Sequence, residues 1–285
     1  MLLDDSLSRP IPQPTPQPIS RALLFGDSSG IPDLLSRLPK NAVAGIVASS
    51  VRPQHHGQLR ALADGCGVPM IVQPRAQDAE TGDFLRQLEA LAPDGLICHS
   101  YAMRIGRPVL DLVHGLAFNL HWSLLPRHRG PNPIQWSLIH GDDVAGATIH
   151  LMDDDFDTGS IVGQSSIPID PADTWVSLHQ RLATCARELL DAVLPAILDG
   201  RWTAVAQDER DALRNPRISP DSFAIDFATM GDREIANLIR AQVAPLAGAH
   251  LDTTEGQRRF PEPLSLFEVA QLRRQQAPET VPCCL

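Results

Sequence analysis

Five short apolar runs punctuate the first 120 residues: ALLF (22–25), AVAGIVA (42–48), PMIV (69–72), GLIC (95–98) and LAFNL (116–120). Each is too short for a helix and too continuously apolar for a strand with one wet face, so each reads as a strand covered on both sides. The segments between them carry apolar residues at helical spacing, such as Leu34, Leu35 and Leu38 and then Leu59, Leu62 and Ala63. Strands alternating with helices predict a Rossmann-like α/β fold, a parallel or mixed sheet with helices on both faces. A further run, ATIHLM (147–152), adds a strand.

The longest helical pattern covers 173–200, from Asp173 or Thr174 as cap, through Val176, Leu178, Leu182, Leu189, Val193 and Ile197, to Gly200 as the stop. Residues 201–220 are polar and irregular, with Pro216 and Pro220, and suit a linker. A shorter unit follows, with a helix over 232–243 that puts Ile235, Leu238 and Ile239 on one face, then a hairpin turning at Thr254-Glu255-Gly256. At the other end, Pro10, Pro12, Pro14, Pro16 and Pro18 remove backbone donors and favour extended chain. The expected organisation is a disordered Pro-rich arm over 1–20, a large α/β domain over 21–200 that carries the chemistry, and a small C-terminal α+β domain over 201–285.

Composition narrows the class. With 43% apolar and 20% charged residues the chain is ordinary for a globular protein, and no run approaches the roughly 18 apolar residues of a membrane span. Asp4 and Asp5 sit where a secretory signal would be basic, and the five cysteines (Cys66, Cys98, Cys185, Cys283, Cys284) show no C-x-x-C pair or zinc spacing. Both features point to the cytoplasm. A net charge of −10 argues against a nucleic-acid partner, because phosphate binding depends on Lys and Arg. The local cluster Arg127-His128-Arg129 remains a candidate holder of one phosphate or carboxylate. The loop GDSSG (26–30) lacks the third glycine of a dinucleotide fingerprint and the lysine of a P-loop, which speaks against either site.

The candidate chemistry lies between Asn119 and Gly159. Asn119 and His121 are two residues apart at the end of a predicted strand, so their side chains project to the same face. In open α/β sheets ligands sit beyond the carboxyl ends of the strands, which is where this pair falls. Asp157 follows the next strand and reaches the same spot if the two strands are neighbours. An amide, an imidazole and a carboxylate together suit acyl transfer to a nitrogen nucleophile: donors stabilise the oxygen of a tetrahedral intermediate, and a base accepts the amine's proton.

At this density the motif resembles the signature of the folate-dependent formyltransferases: Asn119-Leu120-His121-Trp122-Ser123-Leu124-Leu125-Pro126, then Arg129-Gly130, Gly146, Thr148-Ile149-His150 and Asp157-Thr158-Gly159. The resemblance implies a 10-formyltetrahydrofolate donor, an acceptor that is a primary amine or hydroxylamine, and no metal. It implies Asn119, His121 and Asp157 as catalytic residues, with Ser123 bracing the turn and His150 supporting the site near Asp157. Tyr101-Ala102-Met103-Arg104-Ile105 looks like the pterin-side segment of the family, which makes Met103, Arg104 and Ile105, together with Met152, Asp153, Asp155 and Phe156, the expected cofactor contacts. Asp153, Asp155 and Asp157 have D-x-D-x-D spacing, but Thr158 and Gln164 stand where a calcium loop needs Gly and Glu, and Asp153 and Asp154 otherwise read as charge alone.

Departures from the family bear on the acceptor. Methionyl-tRNA members resemble the chain around the motif but carry a long basic loop after the second strand, where this chain has only Ser49 to Gly57, and a larger C-terminal barrel. A small-molecule acceptor is therefore expected: an amino sugar on a nucleotide carrier, or an amino-acid-derived amine such as hydroxyornithine. Methionyl-tRNA and water, the latter giving formyltetrahydrofolate hydrolysis, are the alternatives. Hydrolases of this group precede the motif with a regulatory domain, which a 20-residue arm cannot supply. A homodimer is left open.

Overall fold

The computed structural model of the chain describes residues 13–27, 30–75, 81–253 and 256–276. The apolar runs are strands: β1 (Ala22–Phe25), β2 (Val43–Ser49), β3 (Met70–Gln73), β4 (Gly95–His99) and β5 (Ala117–His121). Between them run α1 (Gly30–Leu35), α2 (His56–Cys66), α3 (Thr81–Ala90) and α4 (Arg107–Leu112). The sequence continues through α5 (Pro133–His140), β6 (Val144–Leu151), β7 (Ile161–Pro168) and α6 (Trp175–Leu198).

The seven strands form one Rossmann-like sheet in the order β3-β2-β1-β4-β5-β6-β7. β1 to β5 pair in parallel, and β6 runs antiparallel to β5. Two cores cover its faces. Leu24, Ile46, Ile97, Phe118, Leu120 and Ile149 pack with α1, α2 and α6 residues such as Leu34, Leu59 and Leu190. Leu23, Val47, Leu96 and Ala117 pack with Phe84, Leu88, Val109 and Leu110 from α3 and α4. Alternation along β5 thus sends Phe118 and Leu120 to one face and Ala117, Asn119 and His121 to the other.

The strand order reverses between β1 and β4, and three loops meet at the carboxyl ends there. Asp27, just past β1 and fully buried, accepts hydrogen bonds from the Ser49 N–H (2.8 Å) and the Ala102 N–H (2.9 Å). One carboxylate therefore ties the loops after β1, β2 and β4 together, and fills the position where the glycine-rich motif fell short.

The proline-rich arm does not stay free up to residue 20. Ile19 is buried in the core and its N–H donates to the Leu198 carbonyl (2.8 Å), while the Ser20 and Arg21 N–H groups donate to the Asp94 carboxylate. Extended backbone makes no bonds within itself, so it can be laid against the sheet wherever an apolar side chain gives it an anchor. Residues 1–12 lie outside the described residues.

The chain separates into two compact units whose segments interleave, which differs from a single boundary at residue 200. One holds the described residues up to 129 with 146–166 and 184–213; the other holds 130–145, 167–183 and the described residues from 214 onward. The second unit contains α5, α7 (Asp232–Arg240), a hairpin of β8 (Ala249–Thr253) and β9 (Gly256–Phe260), and α8 (Leu266–Gln276). Its core gathers Phe223, Ile235, Leu238, Ile239, Phe260 and Val269. The hairpin pairs from Ala249 against Phe260 to Thr253 against Gly256, so its strands flank the expected turn, of which residues 254–255 lie outside the described residues.

Candidate active site

β5 and β6 are neighbours, and their register sets Asn119 opposite His150. Residues paired across antiparallel strands share a face. Asp157 arrives from the loop after β6 with a left-handed backbone (φ 58°), a conformation that Asp tolerates better than most side chains. The Asn119 amide nitrogen lies 3.1 Å from His150 Nε2 and 3.3 Å from Asp157 Oδ1. The same carboxylate oxygen is 3.5 Å from His121 Nδ1 and 3.4 Å from His150 Nε2. Three side chains thus converge on one Asp157 oxygen, with both imidazoles buried and Asn119 half-buried.

The far side of each ring is pinned to a backbone carbonyl. His121 Nε2 lies 2.9 Å from the His128 oxygen, and His150 Nδ1 lies 2.7 Å from the Leu151 oxygen. A carbonyl only accepts, so those nitrogens carry the hydrogens and the nitrogens facing Asp157 are bare in the neutral rings. Burial pushes the His121 pKa below its usual value, opposed by the Asp157 carboxylate and reinforced by His150, so the neutral ring is the form at pH 7. The Asn119 amide donates to this cluster, and the bare Nδ1 of His121 can take up one more proton.

The turn after β5 is braced from several directions. The Ser123 hydroxyl donates to the Arg127 carbonyl (2.7 Å), and the Thr148 hydroxyl donates to the Ser123 carbonyl (2.6 Å) while accepting from Leu125 N–H and Gln164. Ser100 and His128 share the left-handed backbone of Asp157, with φ of 58° and 59°. Such conformations cost on the order of 1–3 kcal/mol each and gather where geometry is over-determined. Gly159 closes the following loop: a Cβ there would sit 1.9 Å from the Leu151 carbonyl oxygen.

The expected cofactor contacts divide. Arg104 is exposed, lies 5.8 Å over the Phe156 ring and donates to the Asp154 carbonyl. Met103 is half-buried beside Ser50, and Met152 is half-buried against the α3/α4 core. Asp153 accepts from the Thr158 hydroxyl (2.6 Å), and exposed Asp155 accepts from the Phe156 N–H. Ile105 is the exception: its side chain is buried among core residues, because α4 begins two residues later, and only its backbone could meet a ligand. Asp154 is more than charge, since its carboxylate pairs with Arg107 (3.2 Å) and helps tie the two loops. The basic cluster is also not free for an anion: buried Arg129 is paired with Gln207 and Glu209, and the His128 carbonyl holds His121.

Three residues escaped the sequence reading. Gln207 donates to the Asp157 and Gly159 carbonyls from a segment read as linker. Trp122 packs beside His99, ring centroids 5.5 Å apart, with its indole N–H 3.3 Å from the Ser100 hydroxyl. Asp27 carried a signal as an acidic residue inside an otherwise small-residue turn, whereas Gln207 had none.

The fold and this edge define the chain as a Rossmann-like α/β protein with its polar cluster at the carboxyl ends of the strands, the plan of a group-transfer enzyme. Residues 21–194 match the formyl transferase family model, and the chain belongs to that family. It is 33% identical over 223 residues, 74% of this chain and 68% of the relative, to a methionyl-tRNA formyltransferase of Desulfotalea psychrophila. Among solved structures it resembles a 4-N formyltransferase from Francisella tularensis (TM-score 0.69, 18% identity, 87% of this chain and 99% of that one). It also resembles the N-formyltransferase from Helicobacter canadensis in complex with folinic acid and dTDP-3-aminofucose (TM-score 0.61, 18% identity, 78% and 80%). A phosphoribosylglycinamide formyltransferase from Bacillus halodurans aligns over 62% of this chain and 95% of its own (TM-score 0.55, 23% identity). Among the described residues no helix is long and apolar enough to cross a membrane, and no group of three or more His, Cys, Asp or Glu side chains is placed to hold a metal.

Proposed function

We propose that this formyl-transferring enzyme moves the formyl group of 10-formyltetrahydrofolate to the amine of a small metabolite. The observation that carries the reading is the convergence of Asn119, His121 and His150 on Asp157 Oδ1 at 3.3 to 3.5 Å. The donor set suits the co-substrate: an amide N–H that can move from Asp157 to an oxygen gaining charge, and a carboxylate with a bare imidazole nitrogen for the proton that an attacking amine must lose. Met103, Arg104, Met152 and Phe156 stand on the two loops beside it, where the folate ring system would bind.

Both Asn119 N–H groups are held, one by His150 Nε2 and one by Asp157 Oδ1, so with substrate bound the second moves from the carboxylate to the formyl oxygen, a contribution of the kind worth roughly 10²–10³ in rate. Asp157 accepts the amine's proton directly or through water, and the bare Nδ1 of His121 takes a share of it. Because Nε2–H is committed to the His128 carbonyl, the ring can donate to substrate only through Nδ1. His121 therefore acts after it has gained the proton, delivering it from Nδ1 to the oxyanion or the departing nitrogen. His150 holds the Asn119 amide and the Asp157 carboxylate in place.

For the acceptor, the net charge of −10 favours a small molecule, either an amino sugar on a nucleotide carrier or an amino-acid-derived amine such as hydroxyornithine, and the likeness to an enzyme solved with dTDP-3-aminofucose supports the former. The 33% identity to a methionyl-tRNA formyltransferase favours a second reading, methionyl-tRNA as acceptor. The deciding experiment incubates protein, formyl donor and a panel of amines, with mass spectrometry for the added formyl group. A formylated sugar or amino acid supports the first reading. Formylated methionyl-tRNA with a tRNA gel shift at physiological salt moves the assignment to the second, and tetrahydrofolate without formylated product indicates hydrolysis. Full activity of His121→Ala would sink the mechanism.

A further inference from the structure

Gln207 belongs to none of the motif residues and lies beyond the part of the chain matched by the family model, which ends at 194. Its side chain nevertheless touches both halves of the site's frame. Nε2 donates to the Asp157 carbonyl (2.9 Å) and to the Gly159 carbonyl (2.8 Å). Oε1 accepts from Arg129 Nε (3.0 Å) and Nη2 (2.8 Å). Guanidinium only donates and carbonyls only accept, so these partners fix which way the amide points. A carboxylate could serve Arg129 but would face two carbonyl oxygens with no hydrogen to give; an amine could serve the carbonyls but would repel Arg129. Of side chains this long, the amide satisfies both.

Each end of this bracket is one step from the reacting groups. Asp157 supplies the carboxylate from a left-handed backbone, and Arg129 follows His128, whose carbonyl holds His121 Nε2. The segment carrying Gln207 is itself fastened at both sides: Val205 and Ile161 exchange backbone hydrogen bonds of 2.9 and 2.8 Å, Leu213 N–H donates to the Pro126 carbonyl and Arg129 N–H donates to the Leu213 carbonyl. Trp202 anchors its start in the core, 5.4 Å edge-on to Phe118.

From this geometry we infer that Gln207, bonded to the Asp157 backbone at one end and to Arg129 at the other, is a positioning residue that fixes the Asp157 carboxylate against the His121 ring. The inference rests on the proposed roles of those two residues, and its tests separate the two ideas. Gln207→Glu keeps the Arg129 side and breaks the carbonyl side; Gln207→Met removes both at similar length. With the amine found in the acceptor screen, both variants lower kcat by roughly 10- to 100-fold, since a misplacement of about 1 Å can cost that much. KM for donor and acceptor stays within about twofold, the pH profile of kcat moves, and the thermal midpoint of the Glu variant stays near that of the parent. Nitrogen-15 NMR of the histidine rings gives an arm that needs no substrate: the His121 signals and their titration shift in both variants while those of His56, on α2, do not. Unchanged kcat and unchanged His121 signals overturn the inference. Shifted His121 signals in a protein that formylates no amine uphold the bracket and remove the proposed function instead.

Discussion

At the scale of single residues, the site is organised by what each atom can and cannot donate. Asn119 donates to Asp157 Oδ1, so replacing it has two costs: an oxyanion donor is lost, and the carboxylate loses a partner. We expect Asn119→Ala to lower kcat by roughly 10²–10³ with little change in donor KM, and Asn119→Asp to be at least as damaging because it adds a carboxylate beside Asp157. Steady-state kinetics with saturating donor distinguish these from a binding defect. His150 is a gentler case. His150→Gln can still accept from Asn119, so an intermediate loss, larger than for Ser123→Ala, is the outcome that agrees with a supporting role; equal and complete loss for His150→Gln and His121→Ala would assign it direct chemistry.

At the scale of elements, the site depends on two loops that must lie close to strand ends. Gly159 shows how close: any side chain there meets the Leu151 carbonyl at 1.9 Å, and that oxygen also holds His150 Nδ1, so it cannot step aside without moving the ring. Gly159→Ala should therefore displace the 152–159 loop, cost about 1–3 kcal/mol of stability and lower kcat more than the stability loss explains. Thermal unfolding and kinetics on the same preparation test this, and a variant with parental values for both would refute the close-packing argument. Legibility from sequence follows the same division between strands and loops. The strand runs, the shared face of Asn119 and His121, and the pairing that brings Asp157 in reach were readable because period-2 alternation and the carboxyl-edge rule act locally. The burial of the Ile105 side chain and the packing of the 201–220 segment were not readable because both are set by tertiary neighbours. Ile105 sits just before α4 and is drawn inward with Val109 and Leu110, while Gln207 is an ordinary polar residue until the Asp157 turn and Arg129 reach it.

At the scale of the whole molecule, buried neutral histidines couple folding to pH. His99 ends β4 in an enclosed position beside Trp122 and the Ser100 hydroxyl, with Asp33 on α1 at 4.0 Å and Arg37 and Arg187 nearby. Burial lowers its pKa to about 4, with Asp33 pulling upward and the two arginines downward. His121 is lowered by burial as well, against the upward pull of Asp157. In the unfolded chain both rings titrate near 6.5, so above that pH neither state binds the extra protons and the fold carries no penalty. As pH falls below about 6.5 the unfolded state takes up protons that the folded state refuses, and stability drops by up to about 1.4 kcal/mol per pH unit for each such ring until the folded pKa is passed. Carboxylates act lower: Asp94, held below its usual value by Ser20 and Arg21 against the effect of burial, gives up its contribution only as pH falls below its unfolded value of 3.8. The interval from about pH 6.5 to 5 is thus the histidines' own. We expect the urea midpoint of the intact protein to fall across that interval, and His99→Gln to flatten the slope there while leaving the decline below pH 4 in place. A midpoint constant from pH 7 to 5 in the parent, or a slope that His99→Gln leaves unaltered, would show that His99 admits its proton without opening the carboxyl end of β4.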